Sequence, residues 1–515
     1  MRECQWEKYK KENAVAMEVF WLGSKLDKER PMQRLQPRAS VRGGMIETFC
    51  LKFTLDENPD YKLYFLDINS LYSKVCLDNS FGVGRYEVIV DKKDLIENIS
   101  WNPVDKEYKY KNQSMKSDCC HVTWVAPSNL LFPFLPYRIN NEFNYLALCK
   151  KCVLKKITKF CPHTSIKVRS FTSVYMVAEI NYAKSLGYEI TEFHELHHYS
   201  QETPFLAEYV KILAAEKLKN SNILDGVPDN EKKTFCDNLN QAMNFETTYE
   251  LSPETVCDNL FQRNFFKDMQ NSFFGRFALR TNFNTFLFCK SLREIENYAS
   301  KQNTELVDFT AINDNICQIE IAQPEKSKTN LNGSLYITSQ INCLSRIYLY
   351  EQMLKIVKVG GKVLACDTDS ICFALRKDCD NPLEVSHKIG SFKHVINNCE
   401  LLSFYSLNPR NYSILYRNEK NEFCQLLKVK GLSLKSNNSN SLISHKLYSN
   451  FVEQNFKNNI ENLYIPQMRK KFNKATKSYD DILCGFTFSS ETHVKRYLLK
   501  NDPKYETYPY GFKKK

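Results

Sequence analysis

The sequence predicts an α+β fold of several domains, and three observations carry that reading. Two apolar runs, Val363-Leu364-Ala365-Cys366 and Ile371-Cys372-Phe373-Ala374-Leu375, flank the polar turn Asp367-Thr368-Asp369-Ser370. That is the pattern of a β-hairpin with carboxylates at its tip. Residues 61–67 form a second apolar, β-like run that ends in Asp67. Helical stretches lie between these strands, and 515 residues are enough for more than one core.

The elements follow in chain order. Residues 1–20 read as a charged helix. Residues 31–50 read as a loop carrying Pro31, Pro37 and Gly43-Gly44. Residues 91–117 are polar and lysine-rich and predict a surface excursion. Residues 168–187 carry helical periodicity up to Gly187, and 188–199 alternate like a strand. Residues 203–245 are polar and helical, with breaks near 220–230. Residues 253–278 predict a helix opening at Ser252-Pro253, with serine as cap and proline in the first turn. Residues 337–359 predict a long helix stopped by Gly360-Gly361. Beyond residue 436 the chain is polar and basic, and 436–444 approach low complexity. No internal repeat is present.

The formal charge is +12, from 71 Lys and Arg against 59 Asp and Glu. A surplus spread along the chain suits a polyanion such as nucleic acid, and equally a merely soluble basic protein. No run of about 18 apolar residues occurs, so no transmembrane helix is expected. The opening Met1-Arg2-Glu3-Cys4-Gln5-Trp6-Glu7-Lys8 lacks the apolar stretch of a signal peptide. The expectation is an intracellular protein, nuclear or cytoplasmic, with no membrane partner. Nineteen scattered cysteines favour thiols or a metal site over a disulfide framework.

Two further segments carry chemistry. In Tyr64-Phe65-Leu66-Asp67-Ile68-Asn69-Ser70-Leu71-Tyr72 a buried strand delivers Asp67 to its end, and a turn presents Ser70, Leu71 and Tyr72. In Lys267-Asp268-Met269-Gln270-Asn271-Ser272-Phe273-Phe274-Gly275, positions i, i+4 and i+8 place Lys267, Asn271 and Gly275 on one helical stripe. Arg263 extends it one turn earlier. Such a stripe suits a triphosphate and a base pair.

Asp-x-x-Ser-Leu-Tyr, then Lys-x-x-x-Asn-Ser-x-aromatic-Gly, then Asp-Thr-Asp-Ser resembles the three motifs of family B DNA polymerases. More narrowly, the set is similar to the protein-primed branch and to polymerases of Polinton/Maverick-type elements and related viruses. Val41-Arg42-Gly43-Gly44, Ser339 to Leu349 with Arg346, Pro409-Arg410-Asn411-Tyr412 and Lys428-Val429-Lys430-Gly431 fit that branch. So do Val494-Lys495-Arg496 and Thr507-Tyr508-Pro509-Tyr510-Gly511.

The resemblance implies a right-hand architecture. An N-terminal segment (1–44) leads into a palm at 45–200 and 310–410. An insertion (201–245) wraps DNA, helical fingers span 246–309, and a thumb and C-terminal region span 411–515. It implies template-directed DNA synthesis, with Asp67 and Asp369 holding two magnesium ions (manganese as the alternative) and Asp367 as a supporting acid. One ion activates the primer 3′-hydroxyl and the other clamps the triphosphate. Oxygen-rich donors of this kind suit magnesium. Arg263 and Lys267 would hold the β- and γ-phosphates, with Ser70 and Leu71 in the nucleotide site. Tyr72 would exclude a 2′-hydroxyl, while Asn271 and Phe274 would pack on the nascent pair. Gly43, Gly44, Tyr412, Lys428, Lys430 and Gly431 would meet DNA. The implied partners are a DNA primer-template, deoxynucleoside triphosphates and a terminal-protein primer.

The chain departs from the family pattern at Ser73, where proline is usual, and at Phe274, where tyrosine or tryptophan is usual. Gln270 and Asp268 replace apolar residues. None of these removes a metal ligand. About forty residues precede the Gly-Gly loop, too few for a 3′–5′ exonuclease domain; unless the chain is a fragment, proofreading is expected to be absent. Rival readings are an inactive DNA-binding remnant, a reverse transcriptase, and a basic non-enzymatic DNA-binding protein.

His194-Glu195-Leu196-His197-His198 satisfies the zinc-protease pattern, but that chemistry needs a helix and the preceding run is strand-like. Cys149-x2-Cys152-x8-Cys161-x-His163 has the paired ligands of a structural zinc knuckle, against the alternative of unligated thiols. Cys119-Cys120-His121 reads as incidental.

Overall fold

The computed structural model describes residues 34–139, 143–245, 249–279, 284–300, 305–313, 315–322, 334–432, 443–456, 462–473, 478–489, 495–499 and 504–514. The expected helix at 1–20 and most of the low-complexity stretch at 436–444 lie outside them. Helices pack on sheets whose described strand pairs run antiparallel, so the fold is α+β. Among the described residues, no helix is long and apolar enough to cross a membrane.

The central element is a five-stranded sheet in the order Ile46–Thr48, Lys362–Asp367, Ser370–Arg376, Tyr61–Ile68, Phe392–His394. Leu66, Ile68, Ile371 and Phe373 pack on one side, in the main core. Leu63, Phe65, Cys372 and Ala374 pack on the other, against the sheet built on Glu400–Asn408 and Asn411–Arg417. Burial on both faces explains why these strands read as near-continuous apolar runs. The long helix Leu335–Lys358 is buried around most of its circumference, among them Ile341, Cys343, Ser345, Arg346, Leu349 and Met353. Mostly apolar and small side chains around the helix suit a core position, and the buried Arg346 is paired with Glu179. It ends at Gly360-Gly361 as expected, and packs on the helices Leu71–Asp78 and Val177–Ser185.

A second sheet, in the order Phe171–Met176, Cys119–Val125, Glu189–His198, Glu87–Ile89, extends the same core. The helices Ala207–Lys219 and Lys232–Met243 form a smaller cluster through Ala214, Leu218, Cys236, Leu239 and Met243. Their break falls where the sequence predicts it.

Several expectations are corrected. Residues 168–187 are not one helix: the short helix Ile166–Arg169 is followed by the strand Phe171–Met176, and only then by the helix Val177–Ser185. The aromatic and β-branched run Phe171-Thr172-Ser173-Val174-Tyr175 prefers the pleated surface, where it pairs with Cys119–Val125. The helix expected at 253–278 is Leu260–Arg276, because Asn259, not Ser252, caps it by accepting the Gln262 amide at 3.1 Å. Ser252 instead bonds Thr255 in a turn of its own. Residues 91–117 hold the helix Lys92–Asn98 and a three-stranded meander, with Leu95, Tyr110 and Met115 buried under the exposed lysines. Residues expected to be helical fingers include a three-stranded sheet over Thr285–Cys289, Glu305–Asn313 and Ile316–Ala322. Residues 309 and 310, the expected boundary, lie within one of its strands.

Candidate active site

Strand register brings the carboxylates together. Ser370 pairs with Asp67, and the Ile68 amide donates to the Asp369 carbonyl at 2.7 Å. The turn between the hairpin strands is tight: Thr368 adopts φ +63°, and its amide donates to Met45 O at 2.8 Å. Asp67, Asp367, Thr368 and Asp369 line a cleft of about 460 Å³ with Arg410, Tyr412 and Lys428.

The three acids have different surroundings. Arg410 grips Asp367 with Nε at 3.0 and 3.1 Å and Nη2 at 3.0 Å. That fork engages both Asp367 carboxylate oxygens. The Lys393 ammonium, on the edge strand whose register is Lys393↔Asp67, pairs with the Asp67 carboxylate. Burial, then the neighbouring charges of Asp67 and Asp367, pushes the Asp369 carboxyl up to about 6. Like charges forced together in a half-buried cleft are what a divalent cation relieves. Asp67 and Asp369 are therefore a fitting oxygen donor pair for a hard divalent ion.

Gly44 explains the Gly-Gly loop. A Cβ there would lie 2.7 Å from Thr368 Cγ2 and 3.0 Å from Thr368 Cα, so only glycine lets this loop lie against the turn. Gly43 offers its carbonyl to Arg346 Nη1 at 2.8 Å. Arg346 also binds Arg42 O at 2.9 Å and Glu179 Oε1 at 2.8 and 3.0 Å, all in the interior. One buried guanidinium thus fixes the loop to the long helix.

A larger cleft, about 1130 Å³, adjoins at Asn69, Ser70 and Lys393. The helix Leu260–Arg276 presents Arg263, Lys267 and Gln270 to it. The expected i, i+4, i+8 stripe is thereby corrected. At about 100° per residue, i+7 returns to within about 20° of i, whereas i+8 drifts by about 80°. Asn271 is exposed beside this face, and nothing lies within 4 Å of a Cβ on Gly275. Gln270 is buried, and among the described residues its Nε2 has no hydrogen-bond partner.

Ser70 sits in the left-handed region (φ 52°) at the head of the helix Leu71–Asp78, so Leu71 and Tyr72 lie on a helix rather than in a turn. The Leu71 side chain is buried in the core. Tyr72 stacks on Phe274, with ring centroids 4.1 Å apart and planes at 26°. The aromatics of two separate motifs thus form one wall.

Sequence reasoning missed Lys217. The helix Ala207–Lys219 carries it into the same cleft, where Nζ donates to Ser70 Oγ at 2.7 Å. Burial, then Lys393, Arg263 and Lys267, pushes its ammonium down to about 8. Its signal was faint: one lysine among many in a polar helix. Lys393 and Arg410 were missed as carboxylate partners because only strand pairing and folding set them beside Asp67 and Asp367.

Downstream, Tyr412 faces Lys428 across paired strands. Lys428 and Lys430 are exposed, the Lys430 amide donates to Asn411 Oδ1 at 2.7 Å, and Gly431 closes the segment beside Phe486.

The Cys149, Cys152, Cys161 and His163 ligand atoms all lie within 4.8 Å of one another. The protease-like histidines lie on the strand Glu189–His198 and serve separate partners. His194 bonds Thr123 Oγ1 at 2.7 Å, His197 bonds Tyr336 Oη at 2.5 Å, and His198 bonds Asp118 Oδ2 at 2.7 Å. Cys119 and Cys120 are buried in the neighbouring strand.

Residues 36–233 match the family described as DNA polymerase type B, organellar and viral. No curated protein matches the chain. Among solved structures, the orthorhombic form of phi29 DNA polymerase is similar at 11% identity and TM-score 0.46. The phi29 enzyme complexed with primer-template DNA gives 11% and 0.47. Each of these two matches covers 88% of this chain, which spans 62% of the phi29 chain. The family B polymerase of Pyrobaculum calidifontis gives 10% and 0.30, over 94% of this chain and 44% of that one. Over residues 36–233 the chain is thus similar to the type B DNA polymerases of organelles and viruses.

Proposed function

We propose that the chain is a template-directed DNA polymerase that adds deoxynucleotides to a primer 3′-hydroxyl. The observation that carries this reading is the junction of two clefts. One holds Asp67 and Asp369, and the adjoining one collects Lys217, Arg263, Lys267 and Lys393. Phosphoryl transfer asks for little else: carboxylates for metal, and cations where the triphosphate's charge accumulates.

Asp67 and Asp369 would hold two magnesium ions, with manganese as the alternative, which when bound activate the primer hydroxyl and neutralise the leaving pyrophosphate. Arg263, Lys267 and Lys217 would bind the β- and γ-phosphates. Ser70, at the head of its helix, would face the same group. Tyr72, backed by Phe274, would close the space at the sugar and select against a 2′-hydroxyl, and exposed Asn271 would approach the nascent pair. Lys428 and Lys430 would grip the duplex phosphates beside Tyr412 and Gly431. Gly43 and Gly44 would present their loop to the template strand.

In this reading the palm comprises 45–200 and the region from Leu335 to residue 410. The insertion 201–245 lends Lys217 to the nucleotide site, the fingers run from 246 through the small sheet ending at Ala322, and the thumb follows from 411. Replication of a mobile element or virus, primed by a terminal protein, fits the resemblance to the protein-primed branch. Zinc is the proposed ion of the Cys149–His163 cluster.

A second reading, an inactive DNA-binding remnant, draws on Lys393 and Arg410, which already neutralise two of the three acids. Primer extension separates the two, with a primed DNA template, magnesium and deoxynucleotides, beside Asp369→Ala. Extension by the unaltered chain alone supports the polymerase. No extension by either, with salt-sensitive duplex binding intact, favours the remnant. Extension on RNA but not DNA templates points to a reverse transcriptase.

A further inference from the structure

The Cys149, Cys152, Cys161 and His163 centre lies against a part of the chain more than 340 residues away. Cys149 Sγ, Cys152 Sγ and Cys161 Sγ approach His163 Nδ1 at 3.5, 3.3 and 3.6 Å, and Cys152 and Cys161 Sγ are 3.5 Å apart. Zinc–sulfur bonds of about 2.3 Å and zinc–nitrogen bonds of about 2.0–2.1 Å give a tetrahedron whose edges are about 3.6–3.8 Å. These four edges are close to that length, and the remaining pairs lie within 4.8 Å. Three soft thiolates and an imidazole select zinc over magnesium or calcium.

The C-terminal segment is built into the loops that carry these ligands. The Leu148 amide donates to Tyr510 O at 2.8 Å, and the Cys161 amide donates to Phe512 O at 2.8 Å. Between those two bonds, Gly511 (φ +94°) leaves no room: a Cβ there would lie 2.4 Å from Cys149 N and 2.5 Å from its Cβ. Lys156 Nζ donates to Tyr145 Oη at 2.5 Å and lies 5.3 Å from the Tyr510 ring.

The segment then continues toward the carboxylates. Thr507–Pro509 pairs with Arg496–Leu498, the Thr507 amide donates to Phe49 O at 2.9 Å, and its hydroxyl donates to Thr48 O at 2.7 Å. Ile46–Thr48 in turn pairs with Lys362–Asp367, with Ile46 opposite Asp367. An unbroken series of backbone bonds thus runs from Cys161 to the aspartate turn.

We propose that zinc at this centre is a clasp: it fixes the 148–163 loops and thereby fastens residues 504–514 to the core, holding the strand Ile46–Thr48 beside the carboxylates. The inference rests on zinc being the ion of this centre, and not on polymerase activity. Without metal, four ligands on short loops lose the restraint that orders them, and the tail loses its seat.

The test uses the full chain. Metal analysis should find about one zinc per chain. Timed trypsin digestion with mass spectrometry then reads cleavage after Lys504 and Lys513. Stripping zinc with chelator under reducing conditions should speed that cleavage by on the order of tenfold. Re-added zinc should reverse this, and magnesium should not. Gly511→Val should keep the zinc yet cleave fast, which separates the clasp from simple misfolding. The proposal is overturned by a zinc-free chain with a Cys152–Cys161 disulfide, or by bound zinc whose removal leaves cleavage unchanged. A chain with a zinc-protected tail and no primer extension sinks the polymerase reading and leaves the clasp standing.

Discussion

Asp369→Asn should stabilise the fold while abolishing metal-dependent function. Its carboxyl is raised from an ordinary 3.8 to about 6 by burial and by Asp67 and Asp367. At 1.36 kcal/mol per pH unit, the ionised form costs the folded state about 3 kcal/mol at neutral pH. Solvent reaching the cleft screens part of that, which leaves about 1–2 kcal/mol. The sign follows from proton linkage: a carboxylate with a raised folded pKa carries its full penalty above about 6, and loses it as pH falls through 3.8. Asparagine removes the charge with little change of shape. Urea unfolding between about pH 4 and 8, without divalent ions, should therefore show the variant more stable at pH 7.5 and equal to the parent near pH 4. Magnesium should then stabilise the parent and leave the variant unmoved. A variant no more stable than the parent at pH 7.5, or a difference that ignores pH, would refute the argument that like charges are crowded at this cleft.

Lys217→Gln should weaken triphosphate binding about tenfold, the worth of one charge-assisted contact. Parent affinity should fall as pH rises past about 8, where Lys217 loses its proton, while the variant stays flat over that range; fluorescent-nucleotide titration reads both. Arg346→Lys leaves Glu179 incompletely paired in the interior and should cost about 3–5 kcal/mol in urea unfolding; a loss under about 1 kcal/mol contradicts the buried pair. Gly44→Ala drives a methyl into Thr368 and should cost about 1–3 kcal/mol, together with the stabilisation by magnesium. His194→Ala should leave the zinc content unchanged, since His194 serves Thr123 and not a metal; a drop in zinc by metal analysis would reinstate the protease-like motif.

Elements with strong local signals are legible in the chain before it folds. The apolar runs around Asp367-Thr368-Asp369-Ser370, the strand leading to Asp67 and the helix stopped by Gly360-Gly361 all form where period and punctuation place them. The protease-like histidines were separable from a metal site because alternation marked a strand. Where two local signals competed, the sequence misplaced the element: Ser252-Pro253 looked like a helix start, but Asn259 made the capping bond.

Which distant residues meet is set only when the chain packs. Lys217 reaches Ser70 across 147 residues, Arg346 reaches Gly43 across 303, and Gly511 lies against Cys149. Such contacts arise when strands register and helices pack, and no period in the chain encodes them. The face of the helix Leu260–Arg276 was likewise settled by its neighbours. Gln270 took the inward place expected for Asn271, because a stripe drifting by about 80° over eight residues cannot keep facing one cleft.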